Sequence, residues 1–413
     1  MIYIKTAAII AEFNPFHNGH KYLIDYIKEH TDADFIICIM SGDFVQRGDA
    51  AVFDKYTRAS MALYCGIDAV FELPLIYSLG SAEYFALGAI NILNSMNSID
   101  YLVFGCENPD ISLLDKISEV LVNEPDEYRN YLNSYLKSGL SYPLSRSNAL
   151  IEYCNLNDNE KDIIKSPNNI LAIEYLKALK LTNSNITPVP VLRIGAGYHD
   201  TTEDKNTNTV SATFLRDMLY SCADFYNYIP ESIADIYKNA LNTYKTVNID
   251  DFSDIFYYLL LSKSYDDLME IADIDDNIAN KLINYKYDFF NISSFIEKIK
   301  TREYTYSRLS RCIMHIILDI KKDYYNKDLL LSSKSYTRLL GFRKDSSSVI
   351  KEIKKDNDNI IIITKPSSIY DYKDTCFYNS MKADMFAHDL YISIPKKNSK
   401  DIPCQLKQSP VMV

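Results

Sequence analysis

No tryptophan occurs in the 413 residues, no apolar run reaches about 18 residues, and no two cysteines are spaced Cys-x-x-Cys. Without such a run there is no candidate membrane-spanning helix. The eight cysteines (Cys38, Cys65, Cys106, Cys154, Cys222, Cys312, Cys376 and Cys404) are scattered. That spacing argues against a zinc ribbon or a disulfide scaffold, and predicts reduced thiols and a cytoplasmic location. Met1-Ile2-Tyr3-Ile4-Lys5 runs directly into a strand pattern with no signal-peptide cleavage site. Internal repeats and low-complexity tracts are also missing. The absence of tryptophan carries no functional reading.

What remains has the composition of an ordinary soluble globular protein, 47% hydrophobic and 24% charged, and is long enough for two or three domains. A net charge of −11 argues against a general nucleic-acid binder. The average hides an asymmetry. Residues 301–355 hold thirteen Lys/Arg against six Asp/Glu, a net +7 inside an acidic chain. A localised site for a polyanion has this form, as does a solvated helix face.

Taken in order, Ala7 to Phe13 reads as a buried strand, followed by a helix from His20 with Leu23, Ile24 and Ile27 on one face. Asp34 to Met40 is a second buried strand, so the start of the chain is a strand–helix–strand unit of a parallel sheet. Asp68 to Pro74 and Tyr101 to Glu107 read as further strands. Asp54, Ser81, Ser166 and Ser211 each precede a helical pattern as candidate caps. Ile186 to Ile194 contains Pro188 and Pro190 and is expected to be strand only in its last residues. Residues 109–165 look helical and polar, without evident chemistry. His199 to Thr209 reads as a mobile polar loop, and Gly195-Ala196-Gly197 lacks the following helix that a dinucleotide fingerprint needs. Residues 223–330 are helical by period and contain no glycine. A strand at Asn359 to Thr364 and a poorly ordered tail from Pro395 close the chain. The expected organisation is 1–222 catalytic, 223–330 helical, and 331–413 a small α/β region contributing to RNA binding.

The chemistry concentrates where the first strand meets the first helix. Phe13-Asn14-Pro15-Phe16 makes a turn, and His17 and His20 lie three apart around Asn18-Gly19. Two imidazoles and the free amides of a helix start converge on one point, an arrangement suited to phosphate. Gly19 is expected to leave room for a nucleotide. Ser211 and Thr213 at a later helix start, with Arg216 one turn on, offer further phosphate donors. Arg47, Lys55 and Arg58 follow the second strand, at the sheet end where ligands bind in open α/β folds. A surface role is favoured for Arg58. Gly105 permits close backbone approach, and Asn168 and Asn169 sit in the first turn of a helix opened by Ser166-Pro167.

These segments carry a resemblance. His17-x-Gly19-His20 matches the H-x-G-H signature of the HIGH-type nucleotidyltransferase superfamily, and Ser211-Ala212-Thr213-x-x-Arg216 resembles its second motif. The fuller order AEFNPFHNGH (11–20), MSGDFVQRGDAAVFDKYTRA (40–59), FGCE (104–107), SPNNILAIEYLKAL (166–179), AGYHD (196–200), SATFLR (211–216) and LLGFRK (339–344) resembles the bacterial tRNA(Met) cytidine acetate ligase family over nearly the whole chain. The resemblance is strong before residue 220 and looser after it.

The resemblance implies a Rossmann-like α/β domain with a parallel sheet, followed by a helical region and a small α/β C-terminal part. It implies activation of acetate by ATP to acetyladenylate, then acetyl transfer to the wobble cytidine of elongator tRNA(Met). His17 and His20 are implied as catalytic phosphate donors. Ile10, Ala11, Glu12, Phe13, Asn14, Pro15, Phe16, Asn18, Lys21, Tyr22 and Leu23 are implied to lie along ATP, with Gly105, Asn169, Arg193 and Ile194. Ser211, Thr213 and Arg216 would hold phosphates. Mg2+ is expected on the triphosphate, with no dedicated carboxylate cluster. Arg302, Arg308, Arg311, Lys321, Lys322, Arg343 and Lys344 are candidates for tRNA, with Tyr304 and Tyr306 as stacking partners. Two rivals stay open: a small-molecule adenylyltransferase of cofactor synthesis, and a non-catalytic nucleotide-binding module.

Overall fold

The structure, a computed structural model, describes residues 4–193, 209–325, 334–355, 357–394 and 404–413. Its strands are β1 (Thr6–Ala11), β2 (Phe35–Ser41), β3 (Phe44–Val45), β4 (Asp49–Ala50), β5 (Ala69–Leu73), β6 (Tyr101–Cys106), β7 (Thr187–Leu192), β8 (Ser335–Phe342), β9 (Ile360–Ile363) and β10 (Val411–Met412). All but β3 and β4 share one sheet in the order β10-β8-β5-β2-β1-β6-β7, with β9 also on β8. Pairing is parallel throughout, except that β8 runs antiparallel to β5. The near-continuous apolar runs of β1, β2 and β5 are those of strands covered on both faces. Helices Ala82–Met96, Ile111–Asn123, Tyr142–Cys154 and Pro167–Leu181 cover one face. Asn18–His30, Lys55–Tyr64, Ala212–Tyr220 and Ala234–Thr243 cover the other.

The chain winds outward from β1 through β2 to β5, then returns to β6 on the opposite side of β1. The crevice at the carboxyl ends of β1 and β6 is therefore the switch point, where a doubly wound sheet binds ligands. Cap residues fix the flanking helices. Asp54 accepts from Tyr56 and Thr57 N–H, and Ser81 accepts from Tyr84 N–H.

β7 differs from its sequence reading, being paired along its whole length, prolines included. Thr187 and Arg193 donate to Asp100 and Cys106 carbonyls at 2.8 and 3.0 Å, so odd-numbered amides face β6. Pro188 and Pro190 fall on the even side, where no neighbouring strand needs an N–H, and an edge strand tolerates them there.

The second and third parts of the chain are built onto this sheet. Residues 247–320 pack helices around their own core, which also takes in Phe44, Ala50, Leu75 and Leu79. The run Ile292 to Ile320 is broken into helices Ile292–Ile299 and Tyr306–Ile317. β8 inserts beside β5, and β10 brings the last residues of the chain back into the sheet. The expectation of a poorly ordered tail fails for residues 404–413, because Gln405 is buried and accepts from Arg338 at 2.7 Å. Residues 395–403 lie outside the described residues, as do Gly195-Ala196-Gly197 and most of the His199 to Thr209 loop. No helix among the described residues is long and apolar enough to cross a membrane.

Candidate active site

After Ala11 the chain leaves the sheet through Phe13, whose φ of 47° is left-handed, and a cis Asn14–Pro15 bond. Asn14 Oδ1 accepts from Val52 N–H at 2.9 Å, tying the turn to the segment before helix Lys55–Tyr64. His17 then caps helix Asn18–His30. Its Nδ1 accepts from Gly19 N–H at 3.0 Å, while His20 Nδ1 accepts from His17 N–H at 3.2 Å. The two histidines thus form a reciprocal capping box, a role more familiar for Ser and Glu.

This cap fixes the chemistry of both rings. A nitrogen that accepts a backbone N–H carries no proton, so each neutral ring bears its hydrogen on Nε2. The ring centroids are 3.9 Å apart at 32°. Burial pushes His17 down to about 3, and Arg193 and Arg216 add to the shift. Burial, His17 and Arg193 hold His20 well below the usual imidazole range. Near neutral pH the pair is therefore uncharged, with Nε2–H left as the ring donor. Phe13 and Phe16 box the His20 ring, with centroids 4.9 and 5.4 Å from it.

Gly19 lines the cavity and also leaves room for a ring. A Cβ there would stand 2.9 Å from His17 Cε1. The missing side chain makes room for the histidine ring.

The second motif closes on the first. Ser211 Oγ accepts from Phe214 N–H at 3.1 Å and caps helix Ala212–Tyr220. Arg216 donates to the Asn14 carbonyl at 2.8 Å and to Thr213 Oγ1 at 3.0 Å. On the far side Glu107 accepts the Asn169 N–H at 3.0 Å and the Asn168 side chain at 2.6 Å. Asn169 Oδ1 takes the N–H of Glu107 and Asn108 at 3.0 and 3.2 Å. Asn169 is buried and braces β6 against its helix, and Asn168 is the amide that lines the cavity. Arg193 lies with its stem against Gly105 and reaches Asn168 Oδ1 at 3.5 Å.

Together these residues line a cavity of about 580 Å³ at the switch point. Of the residues expected at the site, Ile10, Ala11, Glu12, Phe13, Asn14, His17, Gly19, His20, Tyr22, Leu23, Gly105, Arg193, Ser211, Thr213 and Arg216 line it. Pro15, Phe16, Asn18 and Lys21 lie outside its wall. Phe16 is wholly buried and its carbonyl accepts from Tyr237. Asn18 donates to the Asn227 carbonyl at 3.1 Å, and Lys21 pairs with Asp25. Ile194 lies outside the described residues.

Read beside this geometry, the comparisons are consistent with one another. A family model described as HIGH Nucleotidyl Transferase matches residues 4–404. The tRNA(Met) cytidine acetate ligase of Clostridium perfringens strain SM101 is 38% identical over 95% of this chain and 99% of its own. That of Thermoanaerobacter sp. strain X514 is 38% identical over 95% of both chains. The chain belongs to this ligase family. Among solved structures, Thermotoga maritima TmcAL in its apo form superposes with a TM-score of 0.92 at 27% identity, over 99% of this chain and 100% of that one. The same protein bound with alpha-thio ATP gives 0.90 at 26% identity, with the same coverage.

The family motif after β2 divides by role. Arg47 lines the cavity, with Gln46, whose N–H donates to Glu12 at 2.9 Å, and Asp49. Lys55 is buried and paired with Glu72 at 2.7 Å. Arg58, expected at the surface, is fully buried; it donates to the carbonyls of Phe53, Glu12, Ser41 and Gly42. Burial pushes Asp49 up to about 6; Arg216 pulls the other way, and Glu12 and Asp250 add to the rise.

Thr305 and Ser307, which the sequence reading missed, also line the cavity. The signal for them was Gly48, at φ +80°. A Cβ there would stand 2.3 Å from the backbone N of Arg311, and Ser310 Oγ donates to the Gly48 carbonyl at 2.7 Å. Helix Tyr306–Ile317 therefore clamps the β3–β4 hairpin and brings its own start to the site.

The basic window looks different once folded. Arg308 pairs with Asp275 at 2.8 Å, Arg311 with Asp273 at 3.2 Å, Lys321 with Glu270 at 3.1 Å, and Arg343 with Asp345 at 2.8 Å. Tyr304 is buried under Arg308, which excludes it as a stacking partner in this conformation. Among the described residues, Arg302, Lys322 and Lys344 are exposed and have no ion-pair partner.

Proposed function

We propose that this chain is an ATP-dependent tRNA(Met) cytidine acetate ligase. Acetate attacks the α-phosphorus of ATP: an O–P bond forms, the α–β bridge breaks, and pyrophosphate leaves. The exocyclic amine of the wobble cytidine in elongator tRNA(Met) then attacks the acetyl carbon of acetyladenylate. AMP leaves, the amine loses a proton, and N4-acetylcytidine results.

The observation that carries this reading is the pair of uncharged histidines with proton-bearing Nε2 atoms, set beside Arg193 and Arg216 on one cavity. No strong base is needed, because acetate arrives ionised. What the first step needs is fixed donors where charge builds on phosphate, in a site that requires little reorganisation. His17 and His20 supply neutral donors, Arg216 and Arg47 supply positive charge, and the capped start of helix Ala212–Tyr220 supplies amides. Gly105, Asn168 and Arg193 flank the β6 side, where the base and ribose would lie. Magnesium neutralises phosphate charge when it accompanies ATP, and Glu12 and Asp49 are the cavity carboxylates that would face it. The described residues include no group of three His, Cys, Asp or Glu side chains suited to hold a metal.

The test is ATP–pyrophosphate exchange with and without acetate. Acetate-dependent exchange supports the ligase. Exchange that instead requires a mononucleotide partner points to a cofactor adenylyltransferase, and no exchange with any acid points to a binding module.

A further inference from the structure

Arg308, Arg311, Lys321 and Arg343 pair with carboxylates, which leaves Arg302, Lys322 and Lys344 of the basic window exposed and unpaired. A short turn in the helical region stands out. Tyr287 is 78% exposed and Phe290 85%. Two large apolar rings left this open within four residues are a feature to explain.

The turn is not loosely held. Phe289, between the two exposed rings in sequence, stacks on Tyr257 at 5.1 Å and packs on Phe295 and Phe256 at 5.4 and 5.5 Å. Asn291 caps the next helix, and Asp250 accepts from Asn291 at 3.2 Å and from Ser293 N–H at 2.7 Å. Both rings are thus presented from a braced support.

Charge points to one kind of partner. Lys286 lies over the Tyr287 ring at 5.2 Å, while Lys298, over Tyr285, pairs with Asp288 at 2.9 Å. Residues 281–302 hold five Lys/Arg against two Asp/Glu in a chain of net charge −11. Exposed aromatic faces interleaved with cations suit unpaired bases and the phosphates between them, and suit a duplex poorly.

We propose that Tyr287 and Phe290 form a stacking platform for unpaired bases of the RNA loop that delivers the cytidine, with Lys286 and Arg302 meeting its phosphates. This rests on the ligase reading and adds the surface by which the RNA is held.

The test uses the full chain carrying Tyr287→Ala and Phe290→Ala together, with Phe290→Tyr as the variant that keeps a ring. Binding of tRNA(Met) transcript, acetate-dependent ATP–pyrophosphate exchange and sedimentation are measured at one salt concentration. The expected result is a loss of tRNA affinity of roughly tenfold per ring. Exchange is unchanged, because neither ring lines the cavity, and Phe290→Tyr binds close to wild type. Unchanged tRNA affinity with active exchange overturns the platform alone. So does a wild-type dimer that the double substitution converts to monomer, since the rings would then cover a second copy. Absence of acetate-dependent exchange in the wild type overturns the ligase reading itself.

Discussion

Replacing His17 by alanine and by asparagine separates the two tasks its ring performs. Through Nδ1 it caps helix Asn18–His30 by accepting the Gly19 N–H at 3.0 Å. Its Nε2–H is the donor proposed to serve the cavity that His17 lines. Alanine removes both. Loss of the cap costs about 1 kcal/mol of stability, and loss of a donor to the transition state costs about a hundred- to a thousand-fold in rate. Asparagine keeps a cap acceptor at a position where it is among the best residues, so most of the stability returns. Its amide cannot reach where Nε2–H reached, so the rate stays low. Urea unfolding and acetate-dependent exchange at saturating ATP give the two readings. Histidine charge is a separate test. Burial pushes His17 down to about 3 and holds His20 well below its usual range, so exchange by the wild type should have no histidine inflection between about pH 6 and 8. The reasoning is refuted if asparagine restores the rate along with stability. An inflection near pH 6.5 that His17→Ala abolishes would refute it equally.

Three further outcomes follow from the packing. Gly19→Ala sets a methyl 2.9 Å from His17 Cε1, so exchange should fall by roughly a hundredfold through a misplaced donor, although alanine is the better helix former; an unchanged rate would return Gly19 to a plain spacer. Lys55→Met removes the 2.7 Å partner of buried Glu72 and leaves it only Arg338 at 3.6 Å, so it should cost about 2 kcal/mol by urea unfolding. Asp49, held up at about 6 chiefly by burial, takes a proton in the folded chain between about pH 4 and 6 that the unfolded chain has already lost. Its contribution to stability therefore falls as pH rises through that window, and Asp49→Asn should gain more over wild type at pH 7.5 than at pH 4.5.

Local chemistry was legible in the sequence. Asp54, Ser81 and Ser211 signal their helices because a cap acts within three residues, and each caps as expected. The strand-to-helix junction at His17 was readable for the same reason. The capping box was not, because it depends on the direction of two rings and not on their spacing. Arg58 was misjudged because its partners are four backbone carbonyls, which leave no trace in side-chain composition. Pro188 and Pro190 argued against a strand only as long as the edge position of β7 was unknown. The insertion of β8 beside β5 is a pairing between segments more than 260 residues apart, and no local period encodes it. Charge pairing was not legible in the sequence either. The 301–355 window is basic in sequence, but its carboxylate partners at Asp273, Asp275 and Glu270 precede it.

Placing the acid–phosphate chemistry on neutral donors has a structural consequence. The site's positive charge comes from arginines, and Arg216 is fixed to Asn14 and Thr213, so the two motifs form one rigid unit across 202 residues. On the proposed chemistry catalysis is positioning more than proton transfer, and the Phe13 and Phe16 rings that box His20 would serve that end.

The central claim is that this chain joins acetate to a tRNA cytidine at the expense of ATP. The most direct measurement is mass analysis of tRNA(Met) incubated with the protein, ATP and isotopically labelled acetate. The prediction is a single labelled acetyl group on the wobble cytidine, formed without acetyl-CoA. Unlabelled tRNA despite active acetate-dependent exchange, or label that requires acetyl-CoA, would contradict it.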